Sequence, residues 1–284
     1  MPELPEVETI ARTLRPQVEG RVINAIHVLL PKTLAAGENL LPQIRHAAIR
    51  GVRRRAKLLL MDIAPGNVDV PSHVMAFHLK MTGKLFVHDA GTQPGKHTRM
   101  IFDLEPGDGV PAARLFFDDA RTFGYCRIMR PEGLAAWPFW TNLGPEPLTL
   151  DPETFSRALG KRKASIKSLL LDQTVIAGIG NIYADEACFR SGIHPGVGAD
   201  RLSGKQRARL LENVRAVLRE SIAECGSSIR DYRDANGDAG AFQNLFRVYG
   251  RGGRPCTVCG TTLEKTVIAA RTTVFCPRCQ QRPS

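Results

Sequence analysis

The chain has 284 residues, enough for two ordinary domains with a core each, and its 43% hydrophobic and 24% charged residues are the proportions of a soluble globular protein. It carries 39 Lys+Arg against 28 Asp+Glu, a formal charge of +11 that suits a polyanion such as nucleic acid, although a generic basic surface has the same balance. No stretch approaches the roughly 20 apolar residues of a membrane helix, the acidic N-terminus lacks the apolar core of a signal peptide, and an odd cysteine count of 7 argues against a disulfide framework. The expectation is a cytoplasmic protein, nucleoid-associated if bacterial.

The chain opens MPELPEVETI. Pro5, Glu6 and Glu8 suit the first turn of a helix, where proline and negative charge are favoured. Val7, Ile10, Ala11, Leu14 and Val18 then recur at helical spacing, with Pro16 as a kink or early end and Gly20 as a stop. The next hundred residues change character. Apolar runs such as RVINAIHVLL, KLLLMDI, HVMAFHLKM and RLFFDD alternate with Gly, Pro, Asp and Asn clusters, which predicts a strand-rich sandwich or barrel. WPFWTNLGPEPL (137–148) is irregular and reads as a linker. From Asp151 the pattern turns helical, through DPETFSRALGKRKASIKSLLLDQ, a glycine turn and NIYADEACFR, and again from Ser203 to Ala223. A polar loop, SSIRDYRDANGDAGAF (227–242), precedes a small cysteine module.

That module, Cys256-x2-Cys259-x16-Cys276-x2-Cys279, is the most specific spacing in the chain. Two CxxC knuckles fit a two-stranded ribbon closing on one tetrahedral Zn²⁺, and four thiolates leave no open position, so the metal is structural. Redox CxxC pairs are the alternative, but no thioredoxin-like βαβ context surrounds them. The scattered Cys126, Cys188 and Cys225 read as small buried hydrophobes. Arg271, between the knuckles, is either presented to a phosphate or simply solvated. Gly178 and Gly180 precede Asn181, which reads as the N-cap of the next helix; helix N-termini bind phosphate, and Lys167 upstream adds charge. An ordinary helix–turn–helix connection is the plainer reading. If the initiator methionine is removed, Pro2 exposes an α-amine able to form a Schiff base with an electrophilic carbon, and Glu3 beside it can shuttle protons.

In this order, MPELPEVET, RRAK (54–57), HLKMTG (78–83), DARTFG (119–124), LLDQ…AGIGNIYADE and CxxC…CxxCQ resemble the bacterial formamidopyrimidine-DNA glycosylases, from Met1 to about Gln280. The resemblance implies a multidomain α+β fold. A catalytic β-sandwich would span 1–136 and a linker 137–150. A helix-two-turn-helix domain with a lesion-recognition loop would span 151–244, and a zinc finger 245–284. It implies a monomer acting on double-stranded DNA that contains damaged bases, with the target nucleotide flipped out of the stack. Pro2 would be the nucleophile at C1′, Glu3 the general acid/base and Lys57 an essential lysine. His78, Asn181, Tyr249 and Arg271 would contact DNA phosphates, and Lys167 is expected to bind DNA as well. Met81, Arg121 and Phe123 would fill the gap left by the flipped base. Glu6, Ser227, Ser228, Arg230 and Tyr232 would belong to lesion recognition. Three positions depart from the family pattern: Ala56, Lys80 and Cys225 stand where glycine is frequent. The sister enzyme endonuclease VIII usually opens PEGPE, so PELPE, DARTFG and the IRDY loop favour the oxidised-purine branch. A non-catalytic DNA-binding protein would have no reason to keep Pro2, Glu3 and Lys57 together, and a bare zinc-ribbon module would leave the first 150 residues idle.

Overall fold

The computed structural model describes residues 2–37, 39–66, 68–107, 109–229 and 231–281. Two units emerge from the pattern of contacts: Met1–Thr141 with Cys225–Gly240, and Asn142–Glu224 with Ala241–Ser284.

The first unit starts with helix α1, Leu4–Val18, capped by Glu3 and buried along Leu4, Val7, Ile10, Leu14 and Val18. Contrary to the expected kink or early stop, the helix runs through Pro16. The proline forfeits its own N–H near the end, where Glu19 N–H still donates to Arg15 O (3.0 Å). Eight strands follow: β1 Ile23–Val28, β2 Ala47–Arg55, β3 Leu58–Pro65, β4 His73–His78, β5 Gly83–Asp89, β6 Thr98–Leu104, β7 Ala113–Asp119 and β8 Tyr125–Met129. They form two antiparallel sheets, β1-β6-β7-β5 and β2-β3-β4-β8. Between them lies the core, where Phe77 of β4 meets Phe102 of β6 and Phe117 of β7 edge-on, with ring centroids 5.9 and 5.5 Å apart. Each fully buried phenylalanine stabilises the fold by roughly 1.5–3 kcal/mol relative to exposure.

The runs LLLMDI and HVMAFH lack alternation because β3 and β4 are covered on both faces. The second cover is a surprise of the structure. Helices α2 (Pro131–Ala136) and α3 (Pro138–Thr141) bring Trp137, Phe139 and Trp140 against Leu58, Leu60, Val74 and Ala76. The first part of the expected linker is therefore a lid on the sandwich.

In the second unit, α4 (Pro152–Leu159) is capped by Asp151, whose carboxylate accepts Thr154 N–H. Ser165 caps α5 (Ile166–Leu171), and Ser203 and Gln206 form a capping box on α7 (Gly204–Ala223). Between them, α6 (Asn181–Ser191) is buried on every side from Ile182 to Phe189. The chain ends in a hairpin of β9 (Glu264–Ile268) and β10 (Arg271–Phe275). Among the described residues, no helix is long and apolar enough to cross a membrane.

Candidate active site and zinc finger

One end of the sandwich gathers the chemistry of the first unit. Strand pairing fixes this: Leu58 lies opposite His78, His78 opposite Tyr125, and Gly83 opposite Asp119. The β2–β3 turn with Lys57, the 79–83 turn with Met81 and the 119–124 turn with Arg121 and Phe123 therefore share that end. Glu8 ties α1 to it, accepting Arg54 Nε at 2.9 Å and Arg12 Nε at 2.8 Å. Burial pushes the Glu8 carboxyl up, but the two guanidinium groups outweigh it and hold it below its ordinary value. Pro2 and Glu3 are buried at the N-terminus of this helix, with Glu3 as N-cap at the positive end of the helix dipole.

Glu6 joins that terminus to the 225–240 segment. Its Oε2 accepts Glu3 N–H (2.8 Å), and its Oε1 accepts Ser227 N–H (2.9 Å) and Ser227 Oγ–H (3.0 Å). Tyr232 donates its hydroxyl to Glu6 O (3.3 Å), and Ser228 donates to Tyr232 O while accepting Gly240 N–H. The loop expected within the helical domain thus packs along α1 in the first unit. A Cβ on Gly226 (φ +83°) would crowd Glu6 and Tyr232 at 3.1–3.2 Å, so that position needs glycine. Arg230 lies outside the described residues. Cys225, expected buried, is exposed; it follows Glu224, the C-cap of α7, in the left-handed region at φ +57°.

His78 is buried, and its Nδ1 accepts Lys80 N–H at 3.1 Å, which leaves Nε2 as the donor of a neutral imidazole. Burial first, then the Lys80 and Lys57 ammonium groups, pull its pKa down to about 3. Lys57 is itself buried, 8% exposed. Met81, Arg121 and Phe123 by contrast stand exposed, with the Arg121 guanidinium 5.0 Å from the Phe123 ring centroid. Ala56 and Lys80 adopt φ of +53° and +51°, and with Cys225 all three departures from family glycines lie in the left-handed region.

In the second unit, α6 is the post on which the hairpin hangs. Asn181 is its first helical residue and not the N-cap; Gly180, in extended backbone, takes that role. The Asn181 amide donates to Thr272 O at 3.1 Å. One turn on, Asp185 accepts Val274 N–H (3.2 Å) and pairs with Lys167 Nζ at 2.6 Å, both side chains 0% exposed. Lys167 also donates to Thr273 Oγ1 at 2.7 Å. The expected DNA contact at Lys167 is not supported: the ammonium is enclosed and its charge is paired with Asp185. Glu186 accepts the backbone N–H groups of Arg247, Val248 and Tyr249, which fixes Tyr249. Burial pushes the Glu186 carboxyl up against those amides. Neither acid was singled out by sequence; their signal is two carboxylates in a run otherwise apolar all round. Arg271 is exposed directly after a two-residue turn, Ala269–Ala270, whose φ values of +50° and +55° are those of a type I′ hairpin.

Below that hairpin, the sulfurs of Cys256, Cys259, Cys276 and Cys279 all lie within 4.8 Å of one another. The Cys259–Cys276 and Cys256–Cys279 separations are 3.5 and 3.9 Å. A tetrahedron with Zn–S near 2.3 Å has edges of about 3.8 Å, so the donor set fits one structural zinc. Hydrogen bonds from Thr261 hold the Cys259 thiol down to about 6, while burial and the other cysteines push Cys279 up. A divalent ion held by all four sulfurs would bind them as thiolates.

The β-sandwich unit with its buried Lys57 and His78, and the helical unit with its four-cysteine finger, each match domains of known proteins. Family models agree domain by domain. The formamidopyrimidine-DNA glycosylase N-terminal domain matches residues 1–126, the H2TH domain of the same enzymes 143–233, and a zinc finger found in FPG and IleRS 253–282. A formamidopyrimidine-DNA glycosylase of Nitratidesulfovibrio vulgaris is 44% identical over 99% of this chain and all of its own; one of Desulfitobacterium hafniense is 41% identical with the same coverage. A solved Lactococcus lactis Fpg mutant in complex with Fapy-dG-containing DNA has TM-score 0.89 and 33% identity, covering 99% of this chain and 100% of that one. The chain belongs to the formamidopyrimidine-DNA glycosylase family.

Proposed function

We propose that the protein is a bifunctional glycosylase and abasic-site lyase of base excision repair, acting as a monomer in the bacterial cytoplasm, at the nucleoid. It removes oxidised purines, 8-oxoguanine and formamidopyrimidines, from duplex DNA. The Pro2 amine, free once Met1 is removed, attacks C1′ of the flipped nucleotide. The C1′–N bond breaks, its electron pair leaves with the base, and the base takes up a proton. Glu3 protonates the sugar ring oxygen as the ring opens, giving an iminium between Pro2 and C1′. That iminium acidifies the C2′ proton; its loss expels the 3′ phosphate, and a second elimination expels the 5′ phosphate. Water then releases Pro2 and the sugar remnant.

The burial of Pro2 and Glu3 at the α1 N-terminus is the observation that carries this reading, because desolvation favours the uncharged amine. Further support comes from Lys57 and a neutral His78 at the sandwich end to which Glu8 ties that helix. A neutral imidazole can donate Nε2–H to a phosphate, and in the second unit Asn181, Tyr249 and Arg271 are assigned phosphate contacts of their own. The exposed Met81, Arg121 and Phe123 suit a gap in the duplex: apolar surface recovers stacking, and a guanidinium can donate to the orphaned base. Glu6, Ser227, Ser228 and Tyr232 shape the loop that meets the lesion. In this reading the sandwich, 1–136, is the catalytic domain, and the helical and finger domains hold DNA. Relatives bearing the glycosylase name, and Lactococcus lactis Fpg complexes with abasic and Fapy-dG DNA, support the substrate class.

Glu3→Gln is the direct test. It keeps the shape of the N-cap and removes the acid. Excision of 8-oxoguanine opposite cytosine should fall by at least about 10²-fold, the low end of general acid–base effects, while lesion-duplex binding stays within a few fold. Full excision by the variant would overturn the role given to Glu3.

A further inference from the structure

Two turns carry the three exposed side chains at the sandwich end, and one buried carboxylate joins them. Asp119 closes β7 and is 1% exposed. Its Oδ2 accepts Gly124 N–H at 2.7 Å and its Oδ1 accepts Arg121 N–H at 3.2 Å, so it spans the 119–124 turn from inside. The same Oδ1 accepts the Thr82 hydroxyl from the other turn, and Arg121 N–H also lies 3.1 Å from Thr82 Oγ1. Thr82 is the residue after Met81. A single oxygen therefore links the backbone beside Met81 to the backbone of Arg121.

Both turns are also held by contacts of their own. Gly83 N–H donates to Leu79 O (2.9 Å), and a Cβ on Gly83 would come within 2.6 Å of that oxygen. A Cβ on Gly124 would meet the Phe117 ring at 2.9 Å and Asp119 Oδ2 at 3.1 Å. Thr122, left-handed at φ +57°, is held from outside by Lys32 Nζ on its hydroxyl at 2.8 Å. Arg99 Nε donates to Asp119 O at 2.8 Å. Each turn is fixed separately, and the Thr82–Asp119 bond fixes their spacing.

We propose that Asp119 and Thr82 are positioning residues that set Met81 at a fixed distance from Arg121 and Phe123, so that the three enter a duplex as one wedge. The proposal rests on the gap-filling role given to those side chains above. Such a wedge must match the rise of one base step, and a displacement near 1 Å is enough to cost about 10²-fold in rate.

Thr82→Val removes the hydroxyl and keeps the shape; Thr82→Ser keeps the hydroxyl. Single-turnover excision of 8-oxoguanine opposite cytosine should slow about tenfold in Thr82→Val, the size of one lost hydrogen bond to a charged group, and recover in Thr82→Ser. Borohydride trapping on a single-stranded abasic oligonucleotide, which has no gap to fill, should not change. Asp119→Asn should show the same split more strongly. Equal losses on both substrates would make the bond merely structural, and no loss on the duplex would also overturn the proposal. Met81→Ala and Arg121→Ala run alongside. If they leave duplex excision intact, the gap-filling role itself is wrong; if they slow it while Thr82→Val does not, only the coupling is wrong.

Discussion

Replacing Lys167 by methionine should expose the cost of the buried pair in the second unit. Lys167 Nζ lies 2.6 Å from Asp185 Oδ1 with neither side chain exposed. Removing one partner of such a pair leaves an uncompensated charge, worth about 3–5 kcal/mol. The pH dependence follows from Asp185. Burial pushes its carboxyl up to about 6 from an ordinary 3.8, and Lys167 is the largest pull in the other direction. A folded pKa above the unfolded one means that the fold favours the neutral acid. The stability it contributes is present in acid and is lost as pH rises through about 6, at up to about 1.4 kcal/mol per pH unit. Without Lys167 the folded pKa climbs further, and the loss continues into the neutral range. Calorimetric melting of the zinc-loaded protein at pH 5 and pH 7.5 should therefore show a deficit roughly 2 kcal/mol larger at pH 7.5. That is several degrees of Tm for a domain of this size. The salt dependence of DNA binding should not change, because an enclosed lysine releases no counterion. Equal deficits at the two pH values would refute the linkage, and a salt slope smaller by about 0.9 would mean that Lys167 meets a phosphate.

Removing zinc with a chelator should weaken DNA binding and leave borohydride trapping on a single-stranded abasic oligonucleotide unchanged, since the finger takes no part in the amine chemistry. Arg271→Ala should reduce the salt slope by about one contact, and an unchanged slope would count against it. Ala270→Gly, in the type I′ turn of the finger, should raise the melting temperature. A left-handed alanine costs about 1–2 kcal/mol and glycine's extra unfolded-state freedom about 0.5–1 kcal/mol, which leaves a gain of up to about 1.5 kcal/mol. His78 should stay neutral from pH 5 to 8 when followed by NMR, because its pKa is depressed to about 3 from an ordinary 6.5. Its contribution to stability is then present above pH 6.5 and fades as pH falls toward 3; a shift titrating near 6.5 would contradict the burial argument.

Much of this was legible in the sequence because it is local. The knuckle spacing specifies four sulfurs on one ion, and the β3 and β4 runs read as strands because both faces are covered. What escaped was long-range. Ser227 reaches Glu6 across 221 positions, and no period in the loop announces it. The two short helices around Trp137 lack the length to display a helical repeat, so they read as a linker. Lys167 read as surface charge because its partner, Asp185, lies on the next helix. Asp119 appeared only as a letter in DARTFG; its weight comes from Thr82, which a different turn brings to it. Ala56, Lys80 and Cys225 were visible as departures from family glycines, but their left-handed backbone was not.

The central claim is that Pro2 is the nucleophile on an oxidised purine nucleotide. It is tested most directly by mixing the protein with a duplex holding one 8-oxoguanine opposite cytosine, adding borohydride and measuring intact mass. The expected result is a covalent protein–DNA adduct lacking Met1 and mapped by proteolysis to Pro2. An adduct on a lysine, or tight binding with no adduct at all, would contradict it.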